Sequence, residues 1–372
     1  MDLVERAGQL KPMLVKFATS SRFDDELSAV LARRYPAGAP RDEVEFSQVL
    51  DHFALQHELP SGATVVEEFV AAHPELTGDE RDMLLGWRDV VEGIFEITRK
   101  ERGALVLLSY LDELTYRARS NLGSRAFGPL RKGMILVGRL VPAGNDWMVS
   151  GHLSSFPASA RDQMLEIAAK QAMRFPKAVF RNPAKLAQAR STLARHHELF
   201  VDLFGDDLIV VPGTEVANTV QAFSRHVAQR LSPGTDDHEP PRMNVPDELL
   251  DASGVAVYLS ASEGLSFYPG YDLLDELFRD PALISRRLYR EVVSGFLDDS
   301  ETSPEPLRRL AARDPVNASK VFARLLKRKG FNWDTDGEQL LRQHKPSYFD
   351  GTALPNTVTL SPLLAEAFRR TR

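Results

Sequence analysis

Short apolar runs with period-two alternation cluster between Val91 and Pro157, where they predict a compact β unit. Ile94 to Thr98 and Ala104 to Tyr110 are rich in β-branched, aliphatic and aromatic residues. Thr115 to Arg119 alternates large and polar residues, as a half-buried strand does. Turns rich in Gly, Asn and Asp separate the later runs. Five or six short strands of this kind predict a small antiparallel barrel or a strongly bent sheet.

Outside this unit, apolar residues recur at intervals of three and four, which predicts helices. Residues 1–90 carry several such runs, and more follow the β unit. Asn182 before Pro183 predicts a helix start, because Asn caps a helix and Pro fits its first turn. Leu208 to Val211 and Val255 to Leu259 each predict a buried strand.

The order of these elements predicts the fold class and the domain boundaries. Proline and glycine interrupt an acidic stretch at residues 232–246, which predicts a linker. We predict an α+β protein with a helical N-terminal region, a small antiparallel β-barrel-like unit, an α/β middle segment and a mostly helical C-terminal domain. The predicted segments are 1–90, 91–157, 158–231, the linker at 232–246, and 247–372.

Composition narrows the class of protein. A chain of 372 residues is long enough for two or three domains, and its net charge of −6 argues against bulk attraction to nucleic acid or anionic membrane. The sequence has no cysteine, which excludes disulfides, thiolate metal sites and cysteine nucleophiles. No apolar run approaches the roughly 20 residues that span a bilayer, and the N-terminus lacks a signal-peptide pattern. We predict a soluble cytoplasmic protein.

Two stretches concentrate positive charge on one helical face each. The first runs through Arg181, Lys185 and Arg195, and the second is predicted to remain helical from Pro315 to Lys329. If both faces point the same way, they form a phosphate-binding groove. The alternative interpretation is that they are two ordinary solvated helix faces, which would show the same pattern of charge. The nucleic-acid-binding candidates are Arg181, Lys185, Arg195, Lys320, Arg324, Lys327, Arg328 and Lys329.

The β unit also mixes cations with aromatic rings, and two interpretations remain open. Exposed rings would stack on unpaired bases while the cations neutralise phosphates. Alternatively the rings form the core and the charges lie on a solvated face. The residues concerned are Arg99, Lys100, Arg102, Arg117, Arg119, Arg125, Arg131 and Lys132, beside Tyr110, Tyr116 and Phe127.

No complete catalytic, nucleotide-binding or metal-binding motif occurs in the chain. His196-His197-Glu198 has the wrong spacing for a His-Glu-x-x-His site, because adjacent helical side chains point about 100 degrees apart. Asp236 to Glu239 falls in the predicted linker, and Asp334 to Glu338 lacks the later ligands of a calcium loop. Asp206-Asp207 is typical of a helix end. We therefore expect no metal and no cofactor.

These observations favour a non-enzymatic interaction protein that binds a protein partner through its barrel and helical surfaces. The first alternative is a nucleic-acid or ribonucleoprotein binder that uses the basic helical faces. The second is an enzyme whose catalytic residues are scattered and form no motif. The sequence leaves open the identity of the partner, the oligomeric state and the relative placement of the domains.

Overall fold

The chain forms two compact units, each with its own core. A computed structural model describes residues 2–36, 38–120, 122–231, 244–300, 302–349 and 353–370, except for the side chain of Ser124. The first unit comprises Met1–Lys185 with Val358–Arg372, and the second comprises Leu186–Thr357. Helices occur together with two sheets, so the predicted α+β class is confirmed. The finer five-part division stays a prediction.

Five helices open the first unit, and their starts follow local capping signals. The Asp2 carboxylate accepts a hydrogen bond from the Val4 amide at 3.1 Å. Thr64 and Thr77 each form a capping box with the Glu three residues later, which pairs amides that the helix itself leaves free. Trp87 is fully buried in a core that these helices share with the barrel. The helices are α1 (Leu3–Ala18), α2 (Asp24–Arg34), α3 (Glu43–Leu55), α4 (Val65–Ala72) and α5 (Gly78–Gly86).

The predicted β unit is a barrel of five strands with the order β1-β2-β3-β5-β4, in which β1 also pairs with β4. A second core of aliphatic and aromatic side chains, including Phe95 and Tyr116, fills it. The pairing of β3 with β5 is short, since it consists of Ala118 with Trp147 and Arg119 with Met148. The strands are β1 (Val91–Glu101), β2 (Ala104–Ser109), β3 (Thr115–Arg119), β4 (Ile135–Ala143) and β5 (Asp146–Phe156).

The barrel differs from the prediction in two respects. The ladder between β3 and β5 is parallel, because β4 returns beside β1 and leaves β5 to run alongside β3 in the same direction. The sheet is therefore mixed and not purely antiparallel. The runs before and after Gly151 form one strand, β5, since Gly151 continues it with a positive φ of 68°.

Three helices follow the barrel: α6 (Arg161–Arg174), α7 (Pro176–Val179) and α8 (Pro183–Phe204). The predicted cap of α8 is confirmed, because the Asn182 side chain accepts a hydrogen bond from the Ala184 amide at 3.0 Å. The boundary between the two units falls within α8, between Lys185 and Leu186.

The second unit combines a three-stranded antiparallel sheet, of order β6-β7-β8, with helices. The two strands predicted here are confirmed as β6 and β7, but only β7 is buried, since β6 is partly exposed and Val210 is 46% exposed. Strand β8 was not predicted. The elements are β6 (Leu208–Val211), α9 (Val216–Leu231), α10 (Asp247–Leu250), β7 (Val255–Ser260), β8 (Gly264–Pro269), α11 (Tyr271–Arg279), α12 (Arg287–Asp298), α13 (Glu305–Arg313), α14 (Pro315–Leu325), α15 (Trp333–His344) and α16 (Pro346–Phe349). The chain then returns to the first unit, where α17 (Pro362–Arg369) packs on α6.

The predicted linker at 232–246 lies outside the described residues except for its last three positions. Of these, Val245 is buried and packs with Val216 and Val255. Among the helices that the structure describes, none is long and apolar enough to cross a membrane.

Candidate functional site

A cleft of about 530 Å³ lies within the first unit, between the helices α2 and α3 and the barrel. We refer to it as the α3–barrel cleft. Side chains from residues 30–35, 48–57, 137–139 and 151–154 line it, together with Glu92 from β1. Its size falls within the range of small-ligand pockets, and unlike a purely apolar pocket it is lined by several charged and imidazole side chains.

Buried charges form the floor of the cleft, where Asp51 and Arg139 line it and Lys11 and Ser150 lie behind Asp51. Lys11 donates hydrogen bonds to Asp51 Oδ1 at 2.6 Å and to Ser150 Oγ at 3.0 Å. Ser150 donates its hydroxyl proton to the same Asp51 oxygen at 2.7 Å. On the other side, Arg139 Nε lies 3.2 Å from Asp51 Oδ2, and Arg139 Nη2 donates to Gln56 Oε1 at 2.6 Å. The exposed fractions are 8% for Lys11, 4% for Asp51 and 6% for Arg139.

These contacts set two buried cations against one buried carboxylate. Burial alone raises the pKa of Asp51, but the charges of Lys11 and Arg139 and the hydrogen bonds outweigh it and hold that pKa below its ordinary value. Burial lowers the pKa of the Lys11 ammonium, and Asp51 opposes this effect. Glu92 lies 3.9 Å from Arg139 Nε, but its side chain is largely exposed to solvent and screens the floor weakly. The floor therefore carries surplus positive charge.

Two buried polar atoms at the floor lack a hydrogen bond within the described residues. They are Asp51 Oδ2 and Arg139 Nε, which face each other as an ion pair without hydrogen-bond geometry. His57 Nε2, on the cleft wall, is likewise buried without a hydrogen bond, and the nearest carboxylate, Glu26, is 4.0 Å away. Asp51 Oδ2 and Arg139 Nε are each other's electrostatic partners, so His57 Nε2 is the atom of the three that is left for water or a ligand to pair.

Two glycines in the barrel shape the floor. The register of the β4–β5 pair shifts because three residues of β5, Gly151 to Leu153, lie opposite the single residue Gly138 of β4, so the bulge is in β5 and Arg139 pairs with Ser150. A Cβ atom at Gly138 would lie 2.7 Å from a methyl carbon of Leu153, which leaves no space for a side chain. Gly151 has a φ of 68°, a conformation that glycine adopts without strain.

Arginine and histidine side chains form the walls. Arg33 and Arg34 end α2, are exposed and make no ion pair with any described residue. His52 from α3 and His152 from β5 also line the cleft. Burial lowers the pKa of His52, and the Gln56 Oε1 oxygen, which accepts a hydrogen bond from His52 Nδ1, opposes this effect, so the imidazole is mainly neutral at pH 7.

Lys11 and Ser150 resemble a serine–lysine catalytic pair, but their geometry does not fit that role. Ser150 is 1% exposed and does not line the cleft, so a substrate has no route to its hydroxyl. The Ser150 proton points to Asp51, and Lys11 donates to the serine oxygen. A general base would instead accept the serine proton. The pair therefore holds Asp51 in place.

In the first set of predicted nucleic-acid-binding residues, most of the cations already form ion pairs with carboxylates of the protein. Arg181 precedes α8 and forms a bidentate ion pair with Asp89. Lys185, on the first turn of α8, lies 3.0 Å from the Glu113 carboxylate. Arg195 is exposed on α8. Two of the three cations are thus matched by carboxylates.

The second predicted set does not lie on one helix, which corrects the sequence analysis. Helix α14 ends at Leu325, and Lys327 then adopts a positive φ of 53°, so the chain has already turned before Lys329. Arg324 donates to the Pro281 carbonyl oxygen at 2.7 Å. Lys320 is exposed on α14 and donates a hydrogen bond to Asn317 Oδ1. Arg328 lies 3.5 Å from the Asp336 carboxylate. Lys327 and Lys329 are exposed.

The aromatic residues of the barrel belong to its interior. Tyr110, Tyr116 and Phe127 are buried, and burial followed by a hydrogen bond to Asp112 raises the pKa of the Tyr116 phenol. Five of the eight cations around them are engaged, and Lys100 donates to three backbone carbonyl oxygens. Among the others, Arg99 pairs with Glu101, Arg117 with Glu101 and Asp146, Arg119 with Asp2, and Arg131 donates to the carbonyls of Gly128 and Leu130. Arg102, Arg125 and Lys132 are exposed and make no ion pair with a described residue.

The described part of the chain contains no group of three His, Cys, Asp or Glu side chains that could hold a metal ion. His197 lies 3.6 Å from Asp207, which in turn accepts a hydrogen bond from Arg309 at 2.5 Å. Asp334 to Glu338 lies in the first turns of α15, whose cap is Asn332. Asp236 to Glu239 lies outside the described residues.

The sequence analysis did not select any residue of the cleft floor. A weak signal was present, because Lys11 and Asp51 each interrupt an apolar helical stretch and Arg139 follows a glycine inside a strand. Nothing in the sequence connects these positions, because the hydrogen bonds of Asp51 reach Lys11, 40 positions away, and Ser150, 99 positions away.

No protein-family model matches the sequence, and no curated protein or solved structure matches it either. The functional argument therefore depends on the cleft itself.

Proposed function

We propose that the protein is a cytoplasmic, non-enzymatic interaction protein that binds an anionic group of a partner protein in the α3–barrel cleft. The observation that carries this proposal is the surplus of buried positive charge at the cleft floor, where Arg139 lines the cleft, Lys11 lies behind Asp51, and both cations share the one carboxylate of Asp51. An anion that enters the cleft would pair the remaining charge. In a partly desolvated site such a contact is stronger than on an open surface.

Other features of the cleft support binding over catalysis. The serine that resembles a nucleophile is buried behind Asp51, and Asp51 itself is held ionised by two cations, so it is a poor proton donor. Arg33 and Arg34 lie at the wall without ion-pair partners among the described residues, where they would attract an approaching anion.

The test is the binding of a fluorescently labelled peptide of alternating Glu and Ser, measured by anisotropy over a series of salt concentrations. We expect salt-sensitive binding to the unmodified protein and about tenfold weaker binding to the variant Arg33→Glu/Arg34→Glu. The matched control is Arg174→Glu/Lys177→Glu, which changes the charge of the first unit equally at two exposed positions away from the cleft. Absence of binding at low salt, or an equal loss in both variants, would overturn the proposal.

Nucleic-acid binding through the basic residues is the second candidate. It is favoured by Arg195, Lys327 and Lys329, which are exposed and make no ion pair with a described residue. Against it stand the net charge of −6 and the carboxylates that pair with Arg181 and Lys185. Some five-stranded barrels bind oligonucleotides across their second and third strands, but in this barrel Tyr116 of β3 is buried and Arg117 pairs with carboxylates.

Our leading proposal predicts no salt-sensitive binding of single-stranded or duplex DNA or RNA, even at low ionic strength. A filter-binding or anisotropy titration of the unmodified protein checks this, beside a variant with Lys320, Arg324, Lys327 and Arg328 changed to Glu. Tight binding that falls steeply with salt and is lost in the variant would establish the second candidate instead.

A further inference from the structure

We infer that the anionic group taken by the α3–barrel cleft is a phosphate monoester on a side chain of the partner protein, as in phosphoserine or phosphothreonine. This inference depends on the proposed function and specifies its ligand. It follows from the amount of charge in the cleft, from the geometry of the donors, and from the kind of surface that surrounds them.

The charge at the cleft exceeds what one carboxylate would neutralise. Lys11 does not line the cleft and pairs with Asp51 from the buried side, which leaves Arg139 at the floor and Arg33 and Arg34 at the wall opposite the solvent-exposed Glu92. Three arginines thus face one carboxylate that Lys11 does not pair. A phosphate monoester carries about −1.5 to −2 at pH 7, which matches this difference, whereas a Glu or Asp side chain carries only −1.

The donors also come from several directions. Arg139 uses Nε toward Asp51 and Nη2 toward Gln56, and its Nη1 has no hydrogen-bond acceptor within the described residues. Arg33 and Arg34 approach from the end of α2, on a different wall. Three acceptor oxygens in a tetrahedral phosphate can receive donors from such separate walls at once, and arginine clusters recognise phosphorylated side chains in this way. A planar carboxylate offers two.

The rest of the lining favours a phosphorylated side chain over a free nucleotide. A bound base is normally stacked on an aromatic ring, often between two. Among the described lining residues Tyr35 is the only phenyl-type ring, and its hydroxyl is engaged by Glu45. The apolar surface consists of Val30, Val49 and Val137, small side chains that suit an aliphatic stem.

The experiment compares three labelled peptides that share one Ala- and Gly-rich sequence and differ only at the central residue, which is phosphoserine, Glu or Ser. Adenosine monophosphate and inorganic phosphate serve as unlabelled competitors. We expect the phosphoserine peptide to bind about tenfold tighter than the Glu peptide, and the Ser peptide to bind weakest. Arg33→Gln/Arg34→Gln, which removes the wall charges without reversing them, is expected to abolish most of this preference. Arg174→Gln/Lys177→Gln is expected to leave it unchanged.

The outcomes separate this inference from the function on which it depends. Equal binding of the phosphoserine and Glu peptides would overturn the phosphate inference and leave anion binding by the cleft intact. Adenosine monophosphate could also displace the labelled phosphoserine peptide at concentrations well below those at which the unlabelled phosphopeptide does so. That result would assign the cleft to a free nucleotide and would overturn the phosphate inference. Failure of every peptide to bind, with the protein shown to be folded by circular dichroism, would overturn both proposals.

Discussion

Asp51→Asn is expected to lower the free energy of unfolding of the first unit by about 3–5 kcal/mol, because it leaves buried cations without their counter-charge. The Asp51 carboxylate is the acceptor for Lys11 and Ser150 and lies 3.2 Å from Arg139. An asparagine keeps the shape of the side chain and removes its charge. Chemical denaturation followed by tryptophan fluorescence measures the effect, in a background with Trp147→Phe and Trp333→Phe so that the signal comes from Trp87, which lies 5.5 Å from the Lys11 ammonium.

The matched variant for this prediction is Lys11→Met, which removes one of the two cations and leaves Asp51 paired with Arg139. We expect a smaller loss of stability than in Asp51→Asn, because a balanced pair remains. This asymmetry follows directly from the surplus of positive charge. A loss in Lys11→Met that equals or exceeds the loss in Asp51→Asn would contradict the charge assignment of the floor.

The pH dependence has a defined sign for each partner. The pKa of Asp51 is lowered in the folded protein, so its stabilisation is present above the ordinary Asp value near 3.8 and is lost as the pH falls through the lower folded pKa. The pKa of Lys11 is lowered below its ordinary 10.5, so the folded state binds fewer protons and stability rises with pH between the two pKa values. In Asp51→Asn this rise is expected to begin at a lower pH and to extend over a wider range, because the carboxylate that raises the pKa of Lys11 is gone.

The second large effect is expected at Gly213 in the second unit, where alanine should cost about 3 kcal/mol or more. A Cβ atom there would lie 1.9 Å from the carbonyl oxygen of Leu249 and 2.9 Å from that of Ala252. The Gly213 amide also donates to the Ala252 carbonyl at 3.0 Å, so the two backbone segments cannot separate without losing this bond. Urea denaturation of the variant measures the loss.

Gly295→Ala provides the control within the same unit. Gly295 lies in α12, and a Cβ atom there meets nothing within 4 Å. Alanine favours the helix over glycine by roughly 0.8–1 kcal/mol, so this variant is expected to be neutral or slightly more stable. Equal free energies of unfolding for Gly213→Ala and Gly295→Ala would contradict the prediction, because they would mean that the backbone around Gly213 moves to accommodate a Cβ atom.

Local sequence patterns predicted much of the fold. Alternation and turns located the barrel, the Asn182–Pro183 pair located the start of α8, and Leu208 to Val211 predicted β6. The two errors have different origins, one in the backbone of a single residue and one in the topology of the barrel. Lys327 has no sequence feature that forbids a helix, yet it adopts a positive φ, and the parallel β3–β5 ladder depends on the path of the whole barrel.

The cleft could not be predicted in the same way, because its charges meet only in the tertiary structure. Lys11 comes from α1, Asp51 from α3 and Arg139 from β4, and each alone reads as an isolated charge within an apolar segment. The predicted basic residues, in contrast, were visible because they are close in sequence. Proximity in sequence does not leave a charge free, as the pairing of Arg181 with Asp89 demonstrates.

The most direct test of the central claim is to locate the bound anion by hydrogen–deuterium exchange of the full chain with and without the phosphoserine peptide. We predict slower exchange confined to the segments that line the α3–barrel cleft, which are residues 30–35, 48–57, 137–139 and 151–154. The same peptide should leave exchange unchanged in Arg33→Glu/Arg34→Glu. Protection at residues 320–329 or elsewhere, with none at the cleft, would contradict the account.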